Sequence, residues 1–170
     1  MSEVLYRNPV VEDAQEIVDF YNYVGGETSY LSFEKDEYPL NVESQIEDIK
    51  STNASPINEM ILAVADGKIV GIGTINSSNK IKCRHCGELG IVVAKEYQGK
   101  GIGTTIIQKL IDWAKENGVT TRIQLDTRKD NEYAIRLYEK FGFEMEGCLR
   151  NQTLLNGTYY DLCVMGMMIK

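Results

Sequence analysis

The stretch Gln98-Gly99-Lys100-Gly101-Ile102-Gly103-Thr104 constrains this chain more than any other. It follows a strand-like apolar run, Leu89-Gly90-Ile91-Val92-Val93, and leads into a helix-like run from Thr104 to Ile111. Glycines at 99, 101 and 103 allow a sharp turn and remove the side chains that would hold a ligand away. The first turn of the helix then presents N–H groups without intrahelical partners and the positive end of its dipole. A strand, a bare turn and a helix start in that order make a binding place for phosphate.

The spacing narrows the choice of phosphate ligand. A Walker loop needs GxxxxGK followed by Ser or Thr, which is absent. The dinucleotide fingerprint GxGxxG fails at Thr104 when counted from Gly99, and at Ile106 when counted from Gly101. What stands here is Q-G-x-G-x-G, five residues after Val93. A second block, Asn131-Glu132-Tyr133-Ala134-Ile135-Arg136-Leu137-Tyr138-Glu139-Lys140-Phe141-Gly142-Phe143, reads N-x-x-A-x-x-L-Y-x-K-x-G-F. With both blocks in order and a strand between them, the chain resembles the GNAT superfamily of acetyl-CoA-dependent N-acetyltransferases. The resemblance is close over about residues 58–168 and loose before that.

Periodicity gives the element order. Val4 to Arg7 reads as a strand, and Pro9 opens a helix with Val10, Ala14, Ile17, Val18 and Tyr21 at helical spacing, stopped at Gly25-Gly26. Glu27 to Leu40 is polar and aromatic without a period, as binding loops often are. Asn41 caps a second helix, followed by a linker-like turn over 51–58. Two apolar runs flank Asp66-Gly67, a hairpin signal, and Glu88 to Val93 forms the next strand. The helix after the glycine turn carries one apolar face from Ile102 to Ala114. Then come a strand at 121–126, a helix starting at Asp130 or Asn131 and ending at Gly142, and two strands, 143–148 and 159–165, joined through Asn156-Gly157. The order β-α-α-β-β-β-α-β-α-β-β predicts an α/β fold of one domain spanning 1–170, a mixed sheet of about seven strands flanked by about four helices. It is also the GNAT order, and the resemblance implies that the two central parallel strands splay apart to admit acetyl-CoA.

Charge is distributed unevenly. Residues 1–60 hold thirteen Asp or Glu against Arg7, Lys35 and Lys50, whereas the remainder holds twelve acids and fifteen bases. An acidic lobe attracts cations and repels nucleic acid. No apolar run reaches the length of a membrane span, and Met1-Ser2-Glu3 does not open a signal peptide. The expectation is a cytoplasmic protein that binds neither membrane nor nucleic acid, with Cys83, Cys86, Cys148 and Cys163 reduced. Cys83-x-x-Cys86 with His85 lacks the four ligands of a structural zinc site, so no metal is expected.

The resemblance assigns roles by position. The pyrophosphate of acetyl-CoA falls to the backbone N–H groups of Gln98, Gly99, Lys100, Gly101, Ile102, Gly103 and Thr104, with the Lys100 side chain nearby. Ile91, Val92 and Val93 line up with the pantetheine arm, and the Val93 N–H faces the thioester carbonyl. Tyr138, seven residues or two helical turns after Asn131, matches the family's general acid; a phenol of pKa ~10 stays protonated at neutral pH. Asn131 is a helix cap, a cofactor contact, or both. Glu88 heads an apolar strand and is either a solvated strand end or a base whose pKa burial would raise. Asp126, Glu27 and Glu37 are its rivals for holding a cationic acceptor.

The reading is direct acetyl transfer to a primary amine, with the Glu27–Leu40 loop selecting the acceptor. The ending Tyr159-Tyr160-Asp161 with Val164-Met165-Gly166 is similar to members that acetylate protein N termini, polyamines or small amines, and does not choose among them. Homodimerisation is compatible with the resemblance. The alternatives are a CoA-binding regulatory module that has lost catalysis and a nucleotide-binding protein.

Overall fold

Turn chemistry and strand alternation decide most of the architecture. The computed structural model describes residues 3–28 and 30–169; Met1-Ser2, read against a signal peptide, and Ser29, within the Glu27–Leu40 loop, lie outside the described residues. Strands β1 (Val4–Arg7), β2 (Glu59–Ala65), β3 (Lys68–Ser77), β4 (Cys86–Val93), β5 (Arg122–Arg128), β6 (Glu144–Leu155) and β7 (Thr158–Met168) form one seven-stranded sheet. Its order is β1-β2-β3-β4-β5-β7-β6. Helices α1 (Ala14–Glu27), α2 (Val42–Ala54), α3 (Ile102–Glu116) and α4 (Glu132–Phe141) complete it. The predicted element order and mixed sheet are therefore found.

The β2–β3 hairpin turns at Asp66 and Gly67, φ 52° and 75°, and the β6–β7 hairpin at Asn156 and Gly157, φ 51° and 79°. Both pairs have the positive φ at two central residues that tight hairpins require. The period of two along a strand divides the core between the two faces. Ile61 and Ala63 pack in the cluster that holds Ile106, Ile107, Leu110 and Ile111 of α3. Met60 and Leu62 join Ile17, Phe20 and Val24 of α1 and Ile49 of α2 on the opposite side. A bidentate pair from Arg7 to Asp13, at 2.7 and 2.9 Å, ties β1 to the start of α1.

Three local expectations change. Gly25-Gly26 does not stop α1, which continues to Glu27. A Cβ at Gly25 would come within 2.7 Å of the Glu34 carbonyl oxygen, so this glycine serves the close approach of the following segment rather than a helix end. The linker-like turn at 51–58 is in part helix, because α2 runs to Ala54. Finally, Cys148 and Cys163 stand opposite each other on β6 and β7 and form a disulfide. The expectation of four reduced cysteines fails for this pair because the strand register, invisible in the spacing, brings them together. Cys83 and Cys86 are free. None of the helices among the described residues is long and apolar enough to cross a membrane.

Candidate functional site

All neighbouring strands are antiparallel except β4 and β5, and these two soon part. They pair only from Cys86–Arg122 to Glu88–Gln124, although β4 continues to Val93 and β5 to Arg128. The gap that opens is the splay expected from the resemblance. On its other edge β4 bonds β3: the Ala94 N–H donates to the Val70 carbonyl at 2.9 Å, and Val92 stands opposite Ile72. Antiparallel hydrogen bonding repeats every second residue. Val92 therefore bonds β3, while Ile91 and Val93 turn their N–H and C=O groups toward the gap. The Gln98 side-chain amide donates to the Val93 carbonyl at 3.1 Å from that side.

The glycine turn forms the next wall. Gly99 and Gly101 have φ of 75° and 82°, and a Cβ at either would touch nothing. They are glycine because of conformation, not crowding. Gly101 is the cap of α3, so the N–H groups of Ile102, Gly103 and Thr104 have no intrahelical partner, whereas Thr105 N–H returns to the Gly101 carbonyl at 3.0 Å. A Cβ on Gly103 would meet Ile91 and Val93 only at 3.8 Å, so the bare backbone there leaves room for a ligand.

Helix α4 closes the far side. Asn131 caps it loosely, its Oδ1 accepting from the Ala134 N–H at 3.4 Å, and Gly142 ends it with φ 103°. Tyr138 points inward at 9% exposure with its ring edge-on to Phe143 at 5.9 Å. Burial pushes its phenol up to about 12, and the Asp126 carboxylate adds to the rise. A hydroxyl held so firmly protonated is a proton donor, not a base, near neutral pH.

These pieces surround one cleft of about 660 Å³. Ile91, Val92 and Val93 line it, as do Gln98, Gly99, Gly101, Ile102, Gly103 and Thr104, and Asn131 and Tyr138. The structure brings those predicted residues together. Two others stand apart. Lys100 is not among the lining residues; its Nζ lies 5.2 Å from the Tyr97 ring centroid. Glu88 sits on the last paired rung, exposed and outside the lining. The burial expected from its apolar neighbours is missing, because its side of β4 is not covered there. Asp126 is exposed on β5, and Glu37 is spent locally, accepting from the Glu34 N–H at 2.8 Å.

Glu27 does line the cleft, and its carboxylate accepts from the Lys95 N–H at 3.2 Å. Thr28, Tyr30 and Leu31 continue that wall from the 27–40 segment. The sequence reading missed Asp130 and the buried Arg128 beside it. Arg128 lies two residues past the predicted strand in the polar run Thr127-Arg128-Lys129-Asp130, so the sequence offered no signal for its burial. Among the described residues, no group of three or more His, Cys, Asp or Glu is placed to hold a metal ion.

The arrangement offers main-chain donors for a diphosphate, an open strand edge for an extended arm and a buried hydroxyl at the far end. Comparison with known proteins agrees with that chemistry. The sequence model of the acetyltransferase (GNAT) family matches residues 21–143. The crystal structure of an acetyltransferase of the GNAT family from Streptococcus pneumoniae is 33% identical, with a TM-score of 0.95 over 99% of this chain and 100% of that one. The L-amino acid N-acetyltransferase of Escherichia coli (strain K12) is 31% identical over 103 residues, 61% of this chain and 64% of that protein. A GNAT superfamily phosphinothricin acetyltransferase from Sinorhizobium meliloti, crystallised in complex with acetyl-CoA, has a TM-score of 0.84 over 99% of this chain and 89% of that one. At 19% identity this last likeness concerns the fold. The chain spans between half and two thirds of the length of the first curated relatives it matches.

Proposed function

Because the chain belongs to the acetyltransferase (GNAT) family, we propose that it acts, as one domain over 1–170, to transfer the acetyl group of acetyl-CoA to a primary amine. The observation that carries this reading is the free edge of β4. Ile91 offers its N–H and C=O groups and Val93 its N–H to a cleft that also receives the α3 N-terminus and the Tyr138 hydroxyl, the Val93 carbonyl being taken by Gln98.

When bound, acetyl-CoA supplies the activated thioester. Gly99 to Thr104 direct main-chain N–H groups at its pyrophosphate, assisted by the α3 dipole. Ile91 and Val93 pair with the pantetheine arm as an added strand, and the Val93 N–H stabilises the oxyanion that develops on the carbonyl. The amine attacks in a ternary complex: the new C–N bond forms, the C–S bond breaks, and Tyr138 gives its proton to the departing thiolate. The nitrogen's extra proton leaves to water, and Tyr138 is reprotonated from solvent. Glu88 is exposed and outside the cleft lining, so a role as base runs through water, and a Glu88→Gln variant whose kcat equals wild type would remove it.

The acceptor side carries Glu27 within an N-terminal lobe of thirteen acids and three bases, which favours a cationic amine. A cosubstrate made inside cells assigns the work to the cytoplasm. The edge strand β6 leaves Met145, Leu149 and Leu154 about half exposed, which favours a homodimer across this edge; sedimentation at micromolar concentration tests it, and a monomer would remove it.

Free-thiol release tests the reaction itself, with acetyl-CoA against a panel of spermidine, L-amino acids and a peptide with a free N-terminus. Release that depends on both substrates is expected. If acetyl-CoA raises the melting temperature but no amine releases thiol, the chain is instead a CoA-binding module.

A further inference from the structure

Arg128 is 4% exposed, a guanidinium buried at the end of β5, beyond the point where β5 has parted from β4. Burial of a charge is costly unless it is paired and hydrogen-bonded. Its fork grips Asp130, Nε to Oδ1 at 3.0 Å and Nη2 to Oδ2 at 2.7 Å. Its Cζ lies 3.8 Å from the Tyr160 ring centroid of β7 and 4.8 Å from that of Tyr30, within cation–π reach of both. Two of these neighbours belong to different parts of the site. Tyr30 is on the 27–40 segment and lines the cleft, as does Asp130, which immediately precedes the Asn131 cap of α4.

The rest of the segment is anchored elsewhere. Tyr38 stacks on Tyr21 of α1 at 4.5 Å, its N–H donates to Asn22 Oδ1 at 3.0 Å, and its hydroxyl donates to the buried Gln45 of α2 at 2.6 Å. Phe33 packs edge-on to Tyr21. The Phe33–Tyr38 end thus rides with the N-terminal helices, while the Tyr30 end is held across the cleft by Arg128.

We propose that Arg128 is the positioning residue of the acceptor side: its buried guanidinium fixes Tyr30 as a wall for the amine while its fork fixes the turn that presents Asn131 and the start of α4. This rests on the acetyltransferase reading for its kinetic consequence, but not for its structural one. Because Asp130 balances the guanidinium, the pair adds no net charge to the aromatic wall that Tyr30 offers, and Glu27 is the carboxylate assigned to the acceptor's cation. The acceptor class that fits is a primary amine on an apolar or aliphatic body, bound as its ammonium and losing one proton to water before it attacks.

The test uses the full chain as wild type, Arg128→Lys and Tyr30→Leu. Lysine keeps the charge but loses both the fork and the planar guanidinium. Hydrogen exchange of the amides over 30–32 is expected to quicken about tenfold in both variants, with 33–38, β4 and α3 unchanged. In thiol-release kinetics with the fastest amine of the panel, the amine KM should rise about tenfold while the acetyl-CoA KM stays within about twofold. Unchanged exchange over 30–32 would overturn the proposal. So would faster exchange spread evenly through α1 and α2, or an acetyl-CoA KM that rises in step with the amine KM. Should wild type release no thiol with any amine, the transfer reading fails and the exchange result alone decides the clamp.

Discussion

The two walls of the cleft are made of different material. The wall proposed for the cofactor is backbone: the edge of β4, two left-handed glycines and the first turn of α3. The wall proposed for the acceptor is side chains, Glu27 from the end of α1 and Tyr30 from the segment that Arg128 contacts. A main-chain wall depends on conformation and tolerates many side-chain changes. A side-chain wall depends on tertiary contacts, so single substitutions should alter which amine is accepted without altering the cofactor.

The largest effect belongs to the hydroxyl between the walls. Tyr138→Phe should lower kcat by about 10²–10³-fold, the range of a lost general acid, with both KM values little changed; an unchanged kcat in thiol release would remove its role. Its pH behaviour follows from the raised phenol. A folded-state pKa above the unfolded ~10 means the proton is held more tightly in the native state, so this contribution to stability is full below pH ~10 and lost as pH rises toward about 12. No alkaline fall in kcat should arise from Tyr138 up to about pH 10.5. A limb near pH 9 that disappears in the phenylalanine variant would contradict the raised phenol pKa, not the acid role.

The backbone wall is next. Gly101→Val puts a β-branched residue at φ 82°, a strain of about 1–3 kcal/mol, and should raise the acetyl-CoA KM about tenfold or more with little change in amine preference. A variant whose amine KM alone rises would blur the distinction between the walls. Away from both walls, Asp13→Asn breaks the fork from Arg7. Arg7 holds the Asp13 carboxyl below its usual range, a stabilisation present above pH ~4 and lost as pH falls. With the Arg7 side chain 35% exposed, the loss should be about 1–2 kcal/mol, read as a melting temperature lower by a few degrees at pH 7, with the gap to wild type narrowing as pH falls below ~4. Smallest of all is Lys100→Ala. The side chain lies by Tyr97 rather than on the cleft, so the acetyl-CoA KM should move less than about threefold; a much larger rise would return Lys100 to the diphosphate.

The same contrast explains what the sequence disclosed. The glycine turn, the Asn131–Phe143 block and the hairpins at Asp66-Gly67 and Asn156-Gly157 were legible because local conformation demands particular residues there. Ile91 and Val93 could be aligned with the cofactor because an edge assignment needs only the strand and the resemblance. Gly25-Gly26 misled because its glycines answer to Glu34 and Lys35 across space, not to the helix end. Glu88 misled because exposure depends on which half of the sheet α1 and α2 cover. Arg128 went unseen because its partners, Tyr30 and Tyr160, are distant in sequence and meet only in the fold. The Cys148–Cys163 pairing required the β6–β7 register.

The most direct measurement is a crystal structure of this chain with acetyl-CoA. Pyrophosphate oxygens should lie about 3 Å from main-chain nitrogens between Gly99 and Thr104, and the thioester oxygen should accept from the Val93 N–H. Acetyl-CoA bound away from the gap between β4 and β5, or meeting it only through side chains, would contradict the account.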